Sequence, residues 1–278
     1  MNPDKKRKYC YFLNSLFVRN FNIRPKNETI DVVIPVLDKD LKILPYCLEG
    51  LRRCMTNPIG DILIVAPAHP AIQDFCRQQQ LKFIAEDTVL GFGPKDIKYI
   101  ANGVNRSGWI FQQLLKWCGT VSRTEHFLVI DADHILIRPH TFLAADGRTV
   151  FYRSKEYHPP YYHTMRKMLG TAPAGALSYV AHKMLFSRTE LQQLKSAIEA
   201  HCGCDWIQAI KNILDPHETS CFSEYETYGC FFPEEKKILR PWRNKNLTTD
   251  KLCDYETLVA RYSGKYRAIT FPDYKSKD

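Results

Sequence analysis

Two aspartates that follow an apolar run are the residues of this sequence whose types and spacing point most directly to chemistry. Residues 127–130 read Phe-Leu-Val-Ile, a short continuous run that predicts a strand buried on both faces. Asp131 and Asp133 come directly after it. Side chains two positions apart in extended backbone point to the same side, so both carboxylates can converge on one cation. Mg²⁺ and Mn²⁺ prefer such oxygen ligands, usually together with phosphates of a substrate.

The elements that must position these carboxylates follow from the hydrophobic pattern. The predicted order is strand 30–36, helix 41–54, strand 61–65, helix 71–80, strand 82–87, loop 91–105, helix 109–117 and strand 126–130. Strands that alternate with helices predict an α/β fold with a mostly parallel sheet and right-handed crossovers. The carboxyl ends of such strands are where open α/β sheets bind ligands, and the two aspartates lie at one of these ends.

The second half of the chain is less regular. Residues 150–153 and 178–182 are predicted as strands, and helices are predicted over 191–201, 206–214 and 223–228. We detect no internal repeat and no low-complexity segment in the sequence.

Composition indicates an ordinary globular protein with a full core. The 278 residues are 45% hydrophobic and 25% charged. The net charge of +9 favours an anionic partner such as a nucleotide diphosphate, a nucleic acid or an acidic membrane surface. Residues 5–8, all Lys or Arg, are interpreted as a solvated tail.

We expect a cytoplasmic location. Residues 9–18 are mostly apolar but far shorter than the ~20 residues that a membrane span needs. No small-residue cleavage site follows them, so we do not interpret them as an export signal. The ten cysteines form no dense framework, which favours buried, reduced thiols.

Four blocks in their order resemble glycosyltransferases of the GT-A fold. They are the first strand with its proline, the helix opening Arg-Ser-Gly-Trp-Ile-Phe-Gln-Gln-Leu-Leu-Lys at 106–116, the Asp-Ala-Asp at 131–133, and Phe-Ser-Glu-Tyr-Glu-Thr-Tyr-Gly at 222–229. The sequence is most similar to a group of nucleotide-sugar transferases in bacteria and large viruses. The resemblance covers roughly residues 30–235, and it is the combination of blocks, not the D-x-D alone, that is specific.

The resemblance implies a Rossmann-like GT-A domain over residues 30–240. Residues 30–139 would be the nucleotide-sugar half and 140–240 a mixed acceptor-binding half. Residues 1–29 would be a leader and 241–278 a basic, aromatic tail that could contact a membrane surface or a lipid-linked acceptor.

A uridine diphosphate sugar is the donor that the resemblance implies, with Mn²⁺ or Mg²⁺ as cofactor. Asp131, Ala132 and Asp133 match the motif that binds metal and diphosphate. His182 is a further candidate metal or phosphate ligand, because several such enzymes have a histidine in their second half. A structural histidine is an open alternative.

The nucleotide itself is expected at the ends of the first and third strands. Pro35, Val36 and Lys39 lie where such enzymes hold the base and ribose. Glu86 or Asp87 is expected on the uracil or ribose side.

The remaining candidate residues could neutralise phosphate charge or act as a catalytic base. Arg106 and Lys116 could neutralise phosphates, and a solvated helix face is the alternative for either. Glu224 and Glu226 are candidates for the base that activates an acceptor hydroxyl. Residues two apart on a helix diverge, so we expect only one to face the site and prefer Glu224. A candidate base favours an inverting hexosyl- or pentosyltransferase acting on a glycan, glycoprotein or lipid-linked acceptor.

Two other functions use the same features differently. Asp131 and Asp133 could be the nucleophile and general acid of a phosphatase, but such enzymes place this strand first in the fold. The charge and aromatic tail could suit single-stranded nucleic acid. The positive charges are spread along the chain and no nucleic-acid motif is present, so we do not expect a nucleic-acid partner.

Overall fold

The computed structural model describes residues 3–17, 22–173, 175 and 177–272. The helices are α1 Pro3–Phe17, α2 Leu44–Cys54, α3 Pro70–Gln78, α4 Glu86–Leu90, α5 Ser107–Lys116, α6 Pro159–Leu169, α7 Arg188–Cys202, α8 Trp206–Asn212, α9 Glu224–Phe231 and α10 Tyr255–Tyr262. The strands are β1 Ile30–Pro35, β2 Ile59–Ala66, β3 Lys82–Ala85, β4 Ile100–Ala101, β5 Val104–Asn105, β6 His126–Ile130, β7 His134–Leu136, β8 Thr149–Arg153, β9 Lys183–Ser187, β10 Lys237–Pro241, β11 Asn244–Asn246 and β12 Ala268–Thr270. Within this part of the chain, no helix is long and apolar enough to cross a bilayer.

The central sheet has five strands in the order β3-β2-β1-β6-β9. The first four are parallel and β9 is antiparallel to β6, which confirms the predicted α/β fold with a mostly parallel sheet. Every residue of β1 is buried, as expected for a strand with both faces covered. Its alternate side chains enter two cores: Val33 packs with α5, α7 and α9, whereas Val32 and Ile34 pack with α2 and α3.

Three local predictions were wrong. The third strand ends at Ala85, because Glu86 and Asp87 open α4, where acidic side chains favour a helix N-terminus. The expected loop over 91–105 contains the short β4–β5 hairpin. The strand predicted at 178–182 lies at Lys183–Ser187 instead, and only Ser178 makes a bridge, to Ser154.

The segment after residue 240 adds strands beside the candidate site. β12 pairs antiparallel with β7, which begins one residue after Asp133, and β11 pairs parallel with β12. The backbone amide of Phe271 donates to the Asp133 carbonyl over 3.1 Å. Residues from the expected tail therefore contact the chain around the carboxylate pair. Residues 273–278 of that tail, and residues 18–21 of the expected leader, lie outside the described residues.

Candidate active site

The pairing of β6 with β9 places Asp131 opposite His182. Ile130 is the last β6 residue in the ladder and its partner is Lys183, so Asp131 and His182 are the next pair. The Asp131 amide donates to the His182 carbonyl over 3.0 Å. His182 Nδ1 lies 2.9 Å from Asp131 Oδ2. Burial alone would lower the pKa of His182, but its hydrogen bond with the Asp131 carboxylate raises that pKa above the usual value.

Asp133 carries an unpaired oxygen next to this pair. Its Oδ1 is buried and has no hydrogen-bond partner among the described residues. Burial, with the negative charges of Asp131 and Asp40, raises the pKa of Asp133 to about 7 despite the opposing effect of His182. A buried oxygen without a hydrogen-bond partner is costly, and a cation ligated by this oxygen would remove that cost.

The three side chains together fit a divalent cation. One potential ligand atom from each of Asp131, Asp133 and His182 lies within 4.8 Å of the other two. Two carboxylates and one imidazole are donors that a metal such as Mn²⁺ accepts, with waters or phosphate oxygens completing its coordination. A cation there would also pair the orphaned Asp133 oxygen.

A buried lysine holds Asp131 from the other side. Lys116 Nζ, on the last residue of α5, lies 2.7 Å from Asp131 Oδ1 and 2.8 Å from Glu224 Oε1, on the first residue of α9. The Tyr225 hydroxyl donates to the same Asp131 oxygen over 3.0 Å. Burial alone would raise the pKa of Asp131, but the Lys116 and His182 charges keep it well below its usual range. The two carboxylates of the motif therefore differ: cationic partners lower the pKa of Asp131, whereas burial raises the pKa of Asp133.

His182 is held in an uncommon conformation by aromatic neighbours. Its backbone φ is +56°, in the left-handed region that residues other than glycine rarely adopt. Its ring stacks on the Trp242 indole, with centroids 5.3 Å apart, and on the His134 ring at 5.9 Å. Strained backbone of this kind concentrates at functional sites. Sequence reasoning did not identify Trp242, because no local pattern connects it with a histidine 60 positions earlier.

A cavity of about 450 Å³ opens over these residues. Most of the predicted site residues line it: Pro35, Val36, Lys39, Glu86, Arg106, Asp131, Ala132, Asp133 and His182. Burial raises the pKa of Glu86, and the Asp87 charge adds to this. The cavity thus combines a basic side, with Lys39 and Arg106, and the acidic cluster.

Trp109 and Gln112 also line the cavity and were missed by sequence reasoning. Both lie on α5, between Arg106 and Lys116, and the helical period could have identified them. The Arg106 guanidinium lies 4.5 Å from the centroid of the Trp109 ring, and its Nε donates to the Thr219 carbonyl over 2.8 Å. The guanidinium therefore lies over one face of the indole, and both groups line the cavity.

Four predicted residues lie outside the cavity lining. Asp87 is exposed on α4, and Lys116 and Glu224 are buried behind Asp131. Glu226 is buried as well, but in a different network. Its carboxylate accepts hydrogen bonds from the Tyr162 hydroxyl at 2.6 Å, the Tyr179 amide at 2.9 Å and the Ser178 hydroxyl.

Glu224 and Glu226 therefore face different partners, as their helical spacing predicts. Only Glu224 belongs to the Asp131 network. Glu226 connects α9 to α6 through Tyr162, and to the segment before His182 through Ser178 and Tyr179. We therefore assign it a structural role.

Comparison with known proteins supports the fold. No curated protein matches this chain. Among solved structures, the crystal structure of mouse xyloside xylosyltransferase 1 in its apo form is similar, with a TM-score of 0.50 and 12% sequence identity over 90% of this chain and 99% of that one. At this identity the similarity shows a shared GT-A-like fold. The model of DUF6492, a family of unknown function, matches residues 27–264, and the chain therefore belongs to that family.

Proposed function

We propose that this protein is a metal-dependent glycosyltransferase that moves a sugar from uridine diphosphate to a hydroxyl group of an acceptor. The observation that carries the proposal is the buried, unpaired Oδ1 of Asp133, next to Asp131 and His182 in the cavity at the carboxyl edge of the sheet. A divalent cation is a common partner of a bound diphosphate, and the two carboxylates and imidazole of this cluster support binding of such a cation. The GT-A-like fold and its similarity to a xylosyltransferase support the same activity.

Asp131, Asp133 and His182 would hold Mn²⁺ or Mg²⁺. When bound, the cation would neutralise the negative charge that develops on the departing diphosphate. The Arg106 guanidinium, which lines the same cavity, would bind the phosphates, since its planar fork matches phosphate oxygens.

The nucleotide would lie along the ends of β1 and β3. Pro35, Val36 and Lys39 line the cavity beyond β1, and Glu86 lines it beyond β3. Glu86 is half-buried and could accept a hydrogen bond from a ribose hydroxyl or the uracil ring. Asp87, by contrast, is exposed and is assigned no contact.

Lys116 and Glu224 would act through Asp131. Lys116 is 3% exposed and engages both carboxylates, so it positions Asp131 and does not meet a phosphate directly. Glu224 is 1% exposed and outside the described cavity lining, so it does not support the inverting outcome that we expected. We assign it the role of orienting Lys116.

The acceptor is proposed to be a glycan, a glycoprotein or a lipid-linked sugar. The Trp109 ring lines the cavity and offers an apolar face on which a sugar ring can stack. A phosphatase mechanism fits less well. Both Asp131 oxygens are already engaged, one by Lys116 and Tyr225 and the other by His182, which leaves a poor nucleophile.

Calorimetric titration of uridine diphosphate tests the proposal. Binding should be micromolar with Mn²⁺ and weaken at least about tenfold in EDTA or in Asp133→Ala, because both remove the cation that pairs the diphosphate. Asp87→Ala is the matched control and should bind normally. Absence of binding with Mn²⁺ would overturn the donor-site assignment. If binding is observed, hydrolysis of individual uridine diphosphate sugars then identifies the donor.

A further inference from the structure

The amino-terminal helix α1 is attached to the rest of the protein along one face. The Arg7 guanidinium lies 4.4 Å from the centroid of the Tyr157 ring. The Tyr11 hydroxyl accepts a hydrogen bond from the Arg243 amide over 2.9 Å. Positions 7 and 11 are one helical turn apart, so both attachments come from the same side of the helix.

The opposite side of α1 exposes large apolar side chains to solvent. Tyr9, Phe12 and Leu16 are 55%, 58% and 45% exposed, at spacings of three and four that align them on one stripe. The other large, exposed hydrophobic residues in the described part of the chain are Leu37, Ile100 and Val104. Apolar surface concentrated in this way usually marks a site of interaction.

Basic residues lie at and beside the amino-terminal end of this stripe. Lys5 is exposed one turn before Tyr9 and therefore extends the same stripe, and Lys6 and Lys8 are exposed beside it. Fifteen residues make a helix about 22 Å long, too short to span a bilayer but long enough to lie along its surface. Aromatic and leucine side chains on one face, with lysines whose stems reach the headgroups, are typical of helices that bind anionic membranes.

We propose that α1 binds in the plane of an anionic lipid surface, with Tyr9, Phe12 and Leu16 inserted among the acyl chains and the lysines at the headgroups. A second copy of this chain fits the same face poorly, because two such faces would bring like charges together. Residues 5–8, interpreted from the sequence as a solvated tail, lie instead within the helix α1. This inference is independent of the glycosyltransferase proposal.

Cosedimentation of the full chain with vesicles tests the proposal. Vesicles of phosphatidylcholine containing about 30% phosphatidylglycerol should bind the protein at least about tenfold more strongly than phosphatidylcholine alone, and added salt should weaken this binding. Replacing Tyr9, Phe12 and Leu16 together with serine should reduce binding at least about tenfold. Replacing Lys5, Lys6 and Lys8 with glutamate should abolish the preference for phosphatidylglycerol.

The hairpin β4–β5 provides a matched control. Ile100 and Val104 are 63% and 52% exposed, so replacing both with serine removes a similar kind of apolar surface away from α1. This double variant should bind vesicles as the wild type does. Equal binding by the triple serine variant, or no binding by the wild type, would overturn the proposal. A wild-type dimer that the triple serine variant dissociates, without vesicle binding, would assign the face to a second copy instead.

Discussion

Nζ of Lys116 lies 2.7 Å from Oδ1 of Asp131, and the same ammonium lies 2.8 Å from Glu224. Replacement by methionine would leave two carboxylates in the interior without their cation. Breaking a buried ion pair from one side usually costs about 3–5 kcal/mol, and we expect Lys116→Met to lower the free energy of unfolding by that amount. Urea denaturation measures the change. Lys95→Met, at an exposed lysine, should stay within about 0.5 kcal/mol of the wild type.

The same network predicts that the effects of Lys116→Met and Glu224→Gln on the free energy of unfolding are not additive. Adding Glu224→Gln to Lys116→Met removes one of the uncompensated charges, so the double variant should be about 1–3 kcal/mol more stable than the sum of the single effects predicts. Additive effects would show that Glu224 does not depend on Lys116 for its charge partner.

Replacing Asp133 with a neutral residue is expected to stabilise the protein. Its folded-state pKa of about 7 lies above the ordinary aspartate value. The stability that its protonated form contributes is therefore complete below about pH 4 and lost as the pH rises through about 7. In EDTA at pH 8, Asp133→Asn should increase the free energy of unfolding by about 1–3 kcal/mol, and the gain should shrink toward pH 4. Thermal unfolding measures the change in stability. Asp131→Asn should instead lower the free energy of unfolding, because it removes a carboxylate paired with Lys116 and His182.

Metal binding should depend on pH for the same reason. A cation must displace the proton of Asp133, so apparent Mn²⁺ affinity should rise by up to about tenfold per pH unit below pH 7 and level off above that value. Paramagnetic resonance of free Mn²⁺ follows the titration. Affinity that stays constant with pH would place the ion elsewhere.

Trp242 is expected to orient His182 for the cation. Trp242→Leu removes the indole that stacks on the imidazole, and loss of such a supporting contact typically lowers metal affinity about 10–100-fold. Trp206→Leu makes the same change beside Trp117 and should leave Mn²⁺ affinity unchanged. Equal affinities for both variants would contradict the positioning role.

Glu226 should affect stability without affecting the metal. Glu226→Gln keeps the size of the side chain but supplies one acceptor oxygen to four donors, the Cys230 thiol included, so the unfolding free energy should fall by about 1–3 kcal/mol. Mn²⁺ affinity should not change. Tyr162→Phe, which removes a single donor, should lower the free energy of unfolding by less. Urea denaturation measures both changes.

The parallel part of the sheet was predictable because it depends on local patterns. The apolar runs at β1, β2, β3 and β6 and the helices between them specify four parallel strands. The same pattern places Asp131 and Asp133 at a carboxyl edge. The antiparallel position of β9 was not predictable, since its pairing with β6 joins residues 53 to 61 positions apart across a region without clear periodicity.

The role of Lys116 shows a different limit. Lys116 was expected either to neutralise phosphates or to lie on a solvated helix face, yet it is buried against two carboxylates. Gln113, one turn earlier on α5, is buried as well, and its side-chain oxygen accepts a hydrogen bond from the Glu224 amide over 3.4 Å. Two polar side chains on the inner face of a helix indicate a polar partner inside, but the sequence does not indicate which one.

The strand pairing beyond residue 240 has a consequence for the smallest polypeptide that could function alone. A fragment ending at the expected domain boundary, residue 240, would lack the indole beside His182 and the strand β12 that pairs with β7. It would also lack the Phe271 amide that binds the Asp133 carbonyl. A fragment that keeps the candidate active site intact must therefore extend at least to residue 271, well beyond the expected boundary.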